Sequence, residues 1–240
     1  YTTGIVAGTN KGKLVTLNGS NTYADRMGFG GPGNPGTAVR LLPGHDLGNY
    51  FIWRSAGFTE DGKWLVYNKD NEVIPATEKT IEDKAFVGNA IPKLTLSWNN
   101  SVSYKNFDAT IYMRSWLGHD VFNMIDMYYG LNTVRGQNLI TSALDKNKHI
   151  TEEKQLTDYW LEKGNFLKVD ALSFGYTFKP DFIKNIKSLR AYVTGRDLLV
   201  LTKYSGLDPE VNVNGLDPGF EFRDVYPKTR TIMFGLQIGF

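Results

Sequence analysis

Residues 229–240 read TRTIMFGLQIGF, and their alternation decides the fold. Ile232, Phe234, Leu236, Ile238 and Phe240 are apolar. Thr231, Gly235, Gln237 and Gly239 between them are small or polar, with Met233 the one exception. A period of two sends alternate side chains to opposite faces of a strand. A soluble sandwich strand usually carries Lys, Glu or Arg on its wet face. A small, uncharged face opposite a continuous apolar one suits a transmembrane barrel strand, with lipid outside and a watery lumen inside.

The same alternation recurs upstream. In residues 94–104, Leu94, Leu96, Trp98, Val102 and Tyr104 share one face, and Thr95, Ser97, Asn99, Ser101 and Ser103 the other. Lys105-Asn106 then makes a tight turn. Residues 107–117 return with Phe107, Ala109, Ile111, Met113 and Leu117 outward and Asp108, Thr110, Tyr112, Arg114 and Trp116 inward. Residues 166–178 set Leu172, Phe174, Tyr176 and Phe178 against Ser173, Gly175 and Thr177. Strict parity puts Lys168 and Asp170 on the aromatic face, at an end expected to rise above the lipid. Residues 189–201 set Leu189, Ala191 and Val193 against Arg190, Tyr192, Thr194 and Arg196. Further strands are expected over residues 45–57 and 1–17, the latter as one strand or a hairpin turning at 10–12. Loops are expected over 18–44, over 58–91 with a small hairpin around Gly62 and Asn71, over 118–163 with a charged, helix-like piece at 145–160, and over 204–228. Residues 179–187 form a Pro-containing connector.

About seven strands result. An open sheet with lipid-facing edges is not stable, and bacterial barrels generally have an even strand number. The expected fold is therefore all-β: residues 1–240 as an antiparallel transmembrane β-barrel segment of about seven strands, part of a larger closed barrel. If the last strand ends at the periplasmic face, parity puts 58–91, 118–163 and 204–228 on the outer side. It leaves 18–44 as an unusually long connection on the inner side.

Composition narrows the function. A net charge of +2 without a basic tract argues against nucleic acid. The absence of Cys excludes disulfides, thiolate metal sites and a Cys nucleophile. No run of about 18 apolar residues is present, so no membrane helix is expected. The 13 Tyr, 14 Phe, 5 Trp and 25 Gly fit many strands, turns and aromatic girdles. The chain starts at Tyr1 without an initiator Met or signal peptide, as expected for a mature product or a fragment.

YWLEKGNFLKVDALSFGYTF (residues 159–178), SLRAYVTGRDLLVLTKYSGLDPEV (188–211) and YPKTRTIMFGLQIGF (226–240) stand in order after GHDLGNYFIWRSAGF, DGKWLVYNKDNE and VGNAIPKLTLSWNNSVSYKNFDATIY. Together they resemble the C-terminal part of SusC/RagA-type TonB-dependent outer-membrane transporters of the Bacteroidetes, over residues 44–240. Two positions depart from that pattern. Asp197 stands where the family often has Asn, and residues 68–73 lack the glycine and some carboxylates of its DxNGDG-like loop. No calcium site is expected there, since the ion needs roughly six to eight oxygens.

The resemblance implies import rather than catalysis, in the outer membrane of a Gram-negative cell. It implies a large barrel filled by an N-terminal plug, a SusD-like surface lipoprotein as lid, oligosaccharide or peptide ligands, and energy from TonB. The plug and the TonB-binding segment lie outside this sequence. No catalytic residues, cofactor or metal are expected: His45, His119 and His149 lack ligand spacing. Asp208 and Glu210 read as turn residues beside Gly206 and Pro209 rather than as a glycosidase acid pair. Trp64, Tyr67, Tyr128, Tyr129, Trp160 and Tyr204 are the candidate ligand contacts, with Trp64 and Tyr129 foremost, because aromatic faces stack on sugar rings. The alternative for each is the membrane-interface belt or lid contact. Arg114, Arg190 and Arg196 should face the lumen and pair with plug or wall carboxylates, since a lipid-facing charge costs about 2–4 kcal/mol at the midplane. Competing readings are a soluble glycan-binding sandwich, which needs charged wet faces, and a passive porin-like barrel.

Overall fold

A computed structural model describes residues 1–19, 22–30, 36–134, 136–179 and 186–240. In chain order the strands are β1 (Thr2–Gly8), β2 (Ala24–Phe29), β3 (Gly36–Leu41), β4 (Tyr50–Ile52), β5 (Arg54–Phe58), β6 (Trp64–Tyr67), β7 (Val73–Pro75) and β8 (Ala85–Val87). They continue as β9 (Leu94–Tyr104), β10 (Phe107–Leu117), β11 (Asp120–Asn123), β12 (Leu161–Lys163), β13 (Phe166–Phe178), β14 (Ser188–Thr202), β15 (Phe220–Glu221) and β16 (Thr231–Gly239). A short helix, α1 (Met124–Tyr129), follows β11 and is capped by Asn123, whose side chain accepts from the Asp126 N–H at 2.9 Å.

Six strands form one antiparallel wall in the order β1-β9-β10-β13-β14-β16. The two hairpin strands β9 and β10 have 11 residues each, and β13 and β14 have 13 and 15. About 9–11 tilted residues cross a bilayer. Lys105 takes a left-handed φ of 53° in the β9–β10 turn.

The wall has the faces that alternation requires. Register aligns Val102, Ala109, Phe174, Val193 and Phe234 in one apolar row, and Ser103, Asp108, Gly175, Tyr192 and Gly235 in a row that faces the other way. The apolar row is uncovered: Phe234 is 84% exposed. The polar face carries internal pairs, such as Arg190 Nη2 on Asp108 at 2.5 Å and Ser173 Oγ beside Thr194 Oγ1 at 2.9 Å.

Lys168 and Asp170 sit otherwise than strict alternation requires. A bulge shifts the β10–β13 register between Val169 and Ala171, with a matching irregularity against β14. One extra residue reverses the faces beyond it. Lys168 therefore lies opposite Arg114 on the polar face, buried at 2% exposure, rather than out among the aromatics.

The buried core lies outside the wall. The described residues of the segments 9–93, 118–165 and 203–230 fold into a cap whose centre is Phe29, Tyr50, Trp64, Phe122, Trp160 and Phe220. Strands β5-β6-β7 form a meander, β4 pairs with β8, β2 with β3, and β12-β11-β15 make a small mixed sheet. The β11–β15 pairing is parallel and ties the loop after β14 to the segment after β10. The Tyr50 hydroxyl reaches both the Asp120 carbonyl, at 3.0 Å, and the Gly219 carbonyl, at 2.8 Å. Trp53 N–H donates to Leu156 O at 3.2 Å, and Asp158 Oδ1 accepts from Ser55 N–H at 2.7 Å.

Several expectations change. Among the described residues six strands pair into the wall, and 45–57 supplies the short cap strands β4 and β5 instead of a wall strand. Residues 18–44 contain the β2–β3 hairpin; positions 20, 21 and 31–35 of that stretch lie outside the described residues, as do 180–185 of the connector. Residues 145–160 form no α-helix, only the 3-10 turn Asp158–Trp160 at their end. Removing 45–57 from the wall also removes the topological difficulty. Successive wall strands are antiparallel, so 9–93, 118–165 and 203–230 all leave from one end, and the β9–β10 turn lies at the other.

Candidate functional site

The cap meets the polar face of the wall at a cluster of charges. Arg114 on β10 faces β13, where its guanidinium grips both oxygens of Asp170, and it reaches Glu210 Oε1 with Nη1 at 2.7 Å. Lys168 Nζ lies 2.7 Å from Asp197 and 3.3 Å from Glu210. Asp197 stands at the β14 irregularity with a φ of 51°. Lys228, just before β16, contacts Asp208 at 2.9 Å and Glu210 at 2.6 Å. Glu210 thus joins β10, β13 and the far end of its own loop. Burial alone would raise its carboxyl pKa; hydrogen bonds from Arg114 and Lys228 outweigh that and hold it at about 2.

A second buried carboxylate shapes the same loop. Glu221 accepts from the Leu207 N–H at 2.7 Å, the Asp208 N–H at 2.9 Å and the Tyr204 hydroxyl at 2.9 Å. Burial pushes its pKa above the usual carboxylate value despite those donors, and burial beside Glu221 pushes Tyr204 up as well. Glu162 accepts from the Ser205 N–H at 2.8 Å and from the Asn123 amide at 3.0 Å, tying the loop to β11 and β12. The SGLDPE stretch is therefore built as a turn around acceptors, in keeping with its sequence reading.

The six aromatic candidates divide by burial. Trp64 and Trp160 are each 1% exposed and packed together, with ring centroids 5.7 Å apart. Tyr159 meets both edge-on. Tyr128 is buried, its hydroxyl donating to Gly30 O at 2.9 Å, with Arg223 4.0 Å over its ring. Tyr204 is buried on Glu221. Tyr67 and Tyr129 are half-buried, and Arg54 lies 5.4 Å over the Tyr67 ring. The last two are partly open at the cap surface, and the other four are buried. Tyr23 and Tyr226, 54% and 82% exposed, are surface aromatics of the cap segments that the strand-and-loop reading passed over.

Arg114 and Arg190 pair with wall carboxylates, and Arg196 is exposed on the polar face. Burial holds His119 below the ordinary imidazole pKa, between Trp116 and Phe166. Among the described residues no group of three or more His, Cys, Asp or Glu is placed to hold a metal. The 68–72 turn is closed by protein atoms: Asn68 Oδ1 accepts from the Asp70 and Glu72 N–H groups at 2.9 and 2.8 Å. The cluster can position a loop over the polar face, and it offers no nucleophile paired with a base.

No protein-family profile matches the chain. It is 25% identical over 269 aligned positions to TonB-dependent receptor P3 of Formosa agariphila, covering 96% of this chain and 26% of that protein. It is 26% identical over 218 positions to TonB-dependent receptor SusC of Bacteroides thetaiotaomicron, covering 82% of this chain and 20% of that one. Among solved structures, the RagAB peptide transporter superimposes with a TM-score of 0.78 at 18% identity, over 98% of this chain and 26% of that chain. The RagAB peptide importer in its open-open state gives 0.67 at 20% identity. The chain spans about a quarter of the length of the relatives it matches. The fold is that of a wall segment of a RagA-like barrel, and the resemblance to SusC/RagA-type TonB-dependent transporters stands in both sequence and fold.

Proposed function

We propose that this chain is part of an outer-membrane importer driven through TonB, forming six wall strands of its barrel and much of its outer cap. The wall closes with further strands into a larger barrel, its apolar face in lipid and its polar face lining the lumen. The observation that carries this reading is the inversion of burial: the sheet leaves its large apolar side chains uncovered, while the connecting segments enclose the core. Lipid satisfies such a sheet, and water does not. Phe240 and the apolar face of β16 serve as the signal read during barrel insertion.

The cap then faces the cell exterior and meets a SusD-like lipoprotein, with oligosaccharide or peptide captured between the two. Tyr67, Tyr129, Tyr23 and Tyr226 are the aromatics in position to contact ligand or lid. Trp64, Trp160, Tyr128 and Tyr204 act as scaffold. Arg196 is a lumen cation open to a carboxylate of whatever fills the barrel. A soluble sandwich is disfavoured by the exposed row through Phe234, and a passive pore by the size of the ordered cap.

Partition of the full-length protein tests the reading. It should require detergent for extraction, migrate as a heat-modifiable barrel, and support growth on its ligand only in cells with TonB. Extraction in aqueous buffer, or growth independent of TonB, would overturn it.

A further inference from the structure

Tyr192 of β14 stands in register between two glycines, Gly175 of β13 and Gly235 of β16. Its ring leans over β16: a Cβ built on Gly235 would collide with the ring's Cζ and hydroxyl oxygen. Arg190 covers the other glycine, where an added Cβ would collide with its guanidinium. That guanidinium donates from Nε to Asp108 of β10 at 2.9 Å and lies 4.7 Å over the Tyr192 ring. Neither glycine takes a left-handed φ, so what each supplies is the absence of a side chain where another lies flat on the strand.

We propose that Tyr192 and Gly235 form a keyed joint that fixes the register in which β16 joins the wall. The apolar face of β16 cannot do so. Ile232, Phe234, Leu236 and Ile238 are all large and all exposed. A shift of one residue would exchange the faces, but a shift of two leaves the same kind of side chain against lipid. The polar face is uneven: Thr194 lies opposite Met233, Tyr192 opposite Gly235 and Arg190 opposite Gln237. A two-residue shift puts Met233 or Gln237 under the Tyr192 ring, where the glycine alone leaves room. A four-residue shift would bring Gly239 there, but carries Ser188, Leu189 and Arg190 past the end of β16. Arg190, stacked on the ring and anchored to Asp108, keeps the key in its notch. The inference adds alignment to the reading of β16 as the strand recognised during insertion, and rests on the membrane reading for what lies against the apolar face.

The test turns on sign. Glycine weakens a strand and valine favours one, so on propensity alone Gly235→Val should strengthen β16. The joint predicts the reverse. Oxidation to a disulfide reads the register, because it bridges directly opposed strand positions, about 4.5–5.5 Å apart, and not positions offset by two, about 7–8 Å apart. In the full-length protein without other cysteines, Thr194→Cys with Met233→Cys reports the observed register. Thr194→Cys with Thr231→Cys, and Arg196→Cys with Met233→Cys, report a shift of two in either direction. The first pair should crosslink in the parent's heat-modifiable barrel. Gly235→Val should lower that crosslink relative to the shifted pairs about fivefold, the ratio equivalent to the ~1 kcal/mol of a good cross-strand pair. Adding Tyr192→Ala should restore it. Where Gly235→Val yields too little barrel to oxidise, recovery of heat-modifiable barrel on adding Tyr192→Ala is the same test. Parental crosslinking in Gly235→Val, equal loss with and without the Tyr192 ring, or no crosslink of the first pair in the parent would overturn the joint. Extraction of the parent by aqueous buffer would overturn the membrane reading instead, and the crosslinks would still report on the joint.

Discussion

Replacing Glu210 with Ala should release the loop after β14 without unfolding the wall. The side chain holds Arg114 at 2.7 Å, Lys168 at 3.3 Å and Lys228 at 2.6 Å. Removing one partner of a buried ion pair costs about 3–5 kcal/mol when the other charge is stranded. None is stranded here: Arg114 keeps Asp170, Lys168 keeps Asp197 and Lys228 keeps Asp208. The loss is then nearer that of one or two charge-assisted hydrogen bonds, at about 1.5–3 kcal/mol each and partly recovered by water, so about 2 kcal/mol. That corresponds to roughly 30-fold more frequent local opening. Hydrogen exchange on the full-length protein in detergent reads it at the Leu207 and Asp208 amides, which donate to Glu221. Acid should reproduce the effect. A carboxyl held at about 2 rather than 4.5 contributes its stabilisation fully above pH 4.5 and loses it as pH falls toward 2. The difference between parent and variant should therefore shrink below pH 4.5. Exchange within twofold of the parent at pH 7, or acceleration across β9 and β10 as well, would refute the hub.

Glu221→Gln keeps an acceptor for the two backbone N–H groups and removes a buried charge, so its exchange at Leu207 should stay within about fivefold of the parent, whereas Glu221→Ala should open the loop by an order of magnitude or more. Trp160→Ala removes a ring buried against Trp64 and should cost the cap about 3–5 kcal/mol, abolishing uptake while leaving heat-modifiable barrel at parental levels; loss of barrel as well would refute an independent wall. Lys84 donates to Thr37 O at 2.6 Å, and burial holds its amine at about 8 instead of 10.5. A base lowered in the fold penalises folding while it is protonated, so cap stability should rise between pH 8 and 10.5, and Lys84→Met should flatten that rise in thermal melts.

The wall was legible because its physics is local. Alternation over five strands, residues 94–117, 166–178, 189–201 and 231–239, fixes which side chains share a face, and the observed register confirms it. Local parity fails where the chain inserts a residue. In KVDAL the signal of the bulge that returns Lys168 and Asp170 to Arg114 is two charges that strict alternation would leave on an apolar face. The cap was illegible for the opposite reason. Its strands β4, β7 and β8 have three residues each, too short for periodicity, and its order comes from non-local contacts such as the parallel β11–β15 pairing. Polar, Gly-rich segments therefore read as loops. The same non-locality hid the fate of Trp64 and Trp160: a Trp in a presumed loop reads as a binding residue, and only the packed cap shows it as core. Gly206 and Pro209 place Glu210 in a turn; its grip on Arg114, Lys168 and Lys228 comes only from the three-dimensional arrangement.

A membrane wall of this topology requires every long segment on one side. In a cysteine-free background, single cysteines at Val15, Lys69, Leu144 and Asn214 sample the three cap segments, and one at Lys105 samples the β9–β10 turn; all five positions are exposed. On intact cells without the lid protein, an impermeant maleimide should label the four cap sites and leave Lys105→Cys unlabelled until the outer membrane is opened. Labelling of Lys105→Cys on intact cells, or protection of Val15→Cys alongside it, would contradict the topology and the transporter reading built on it.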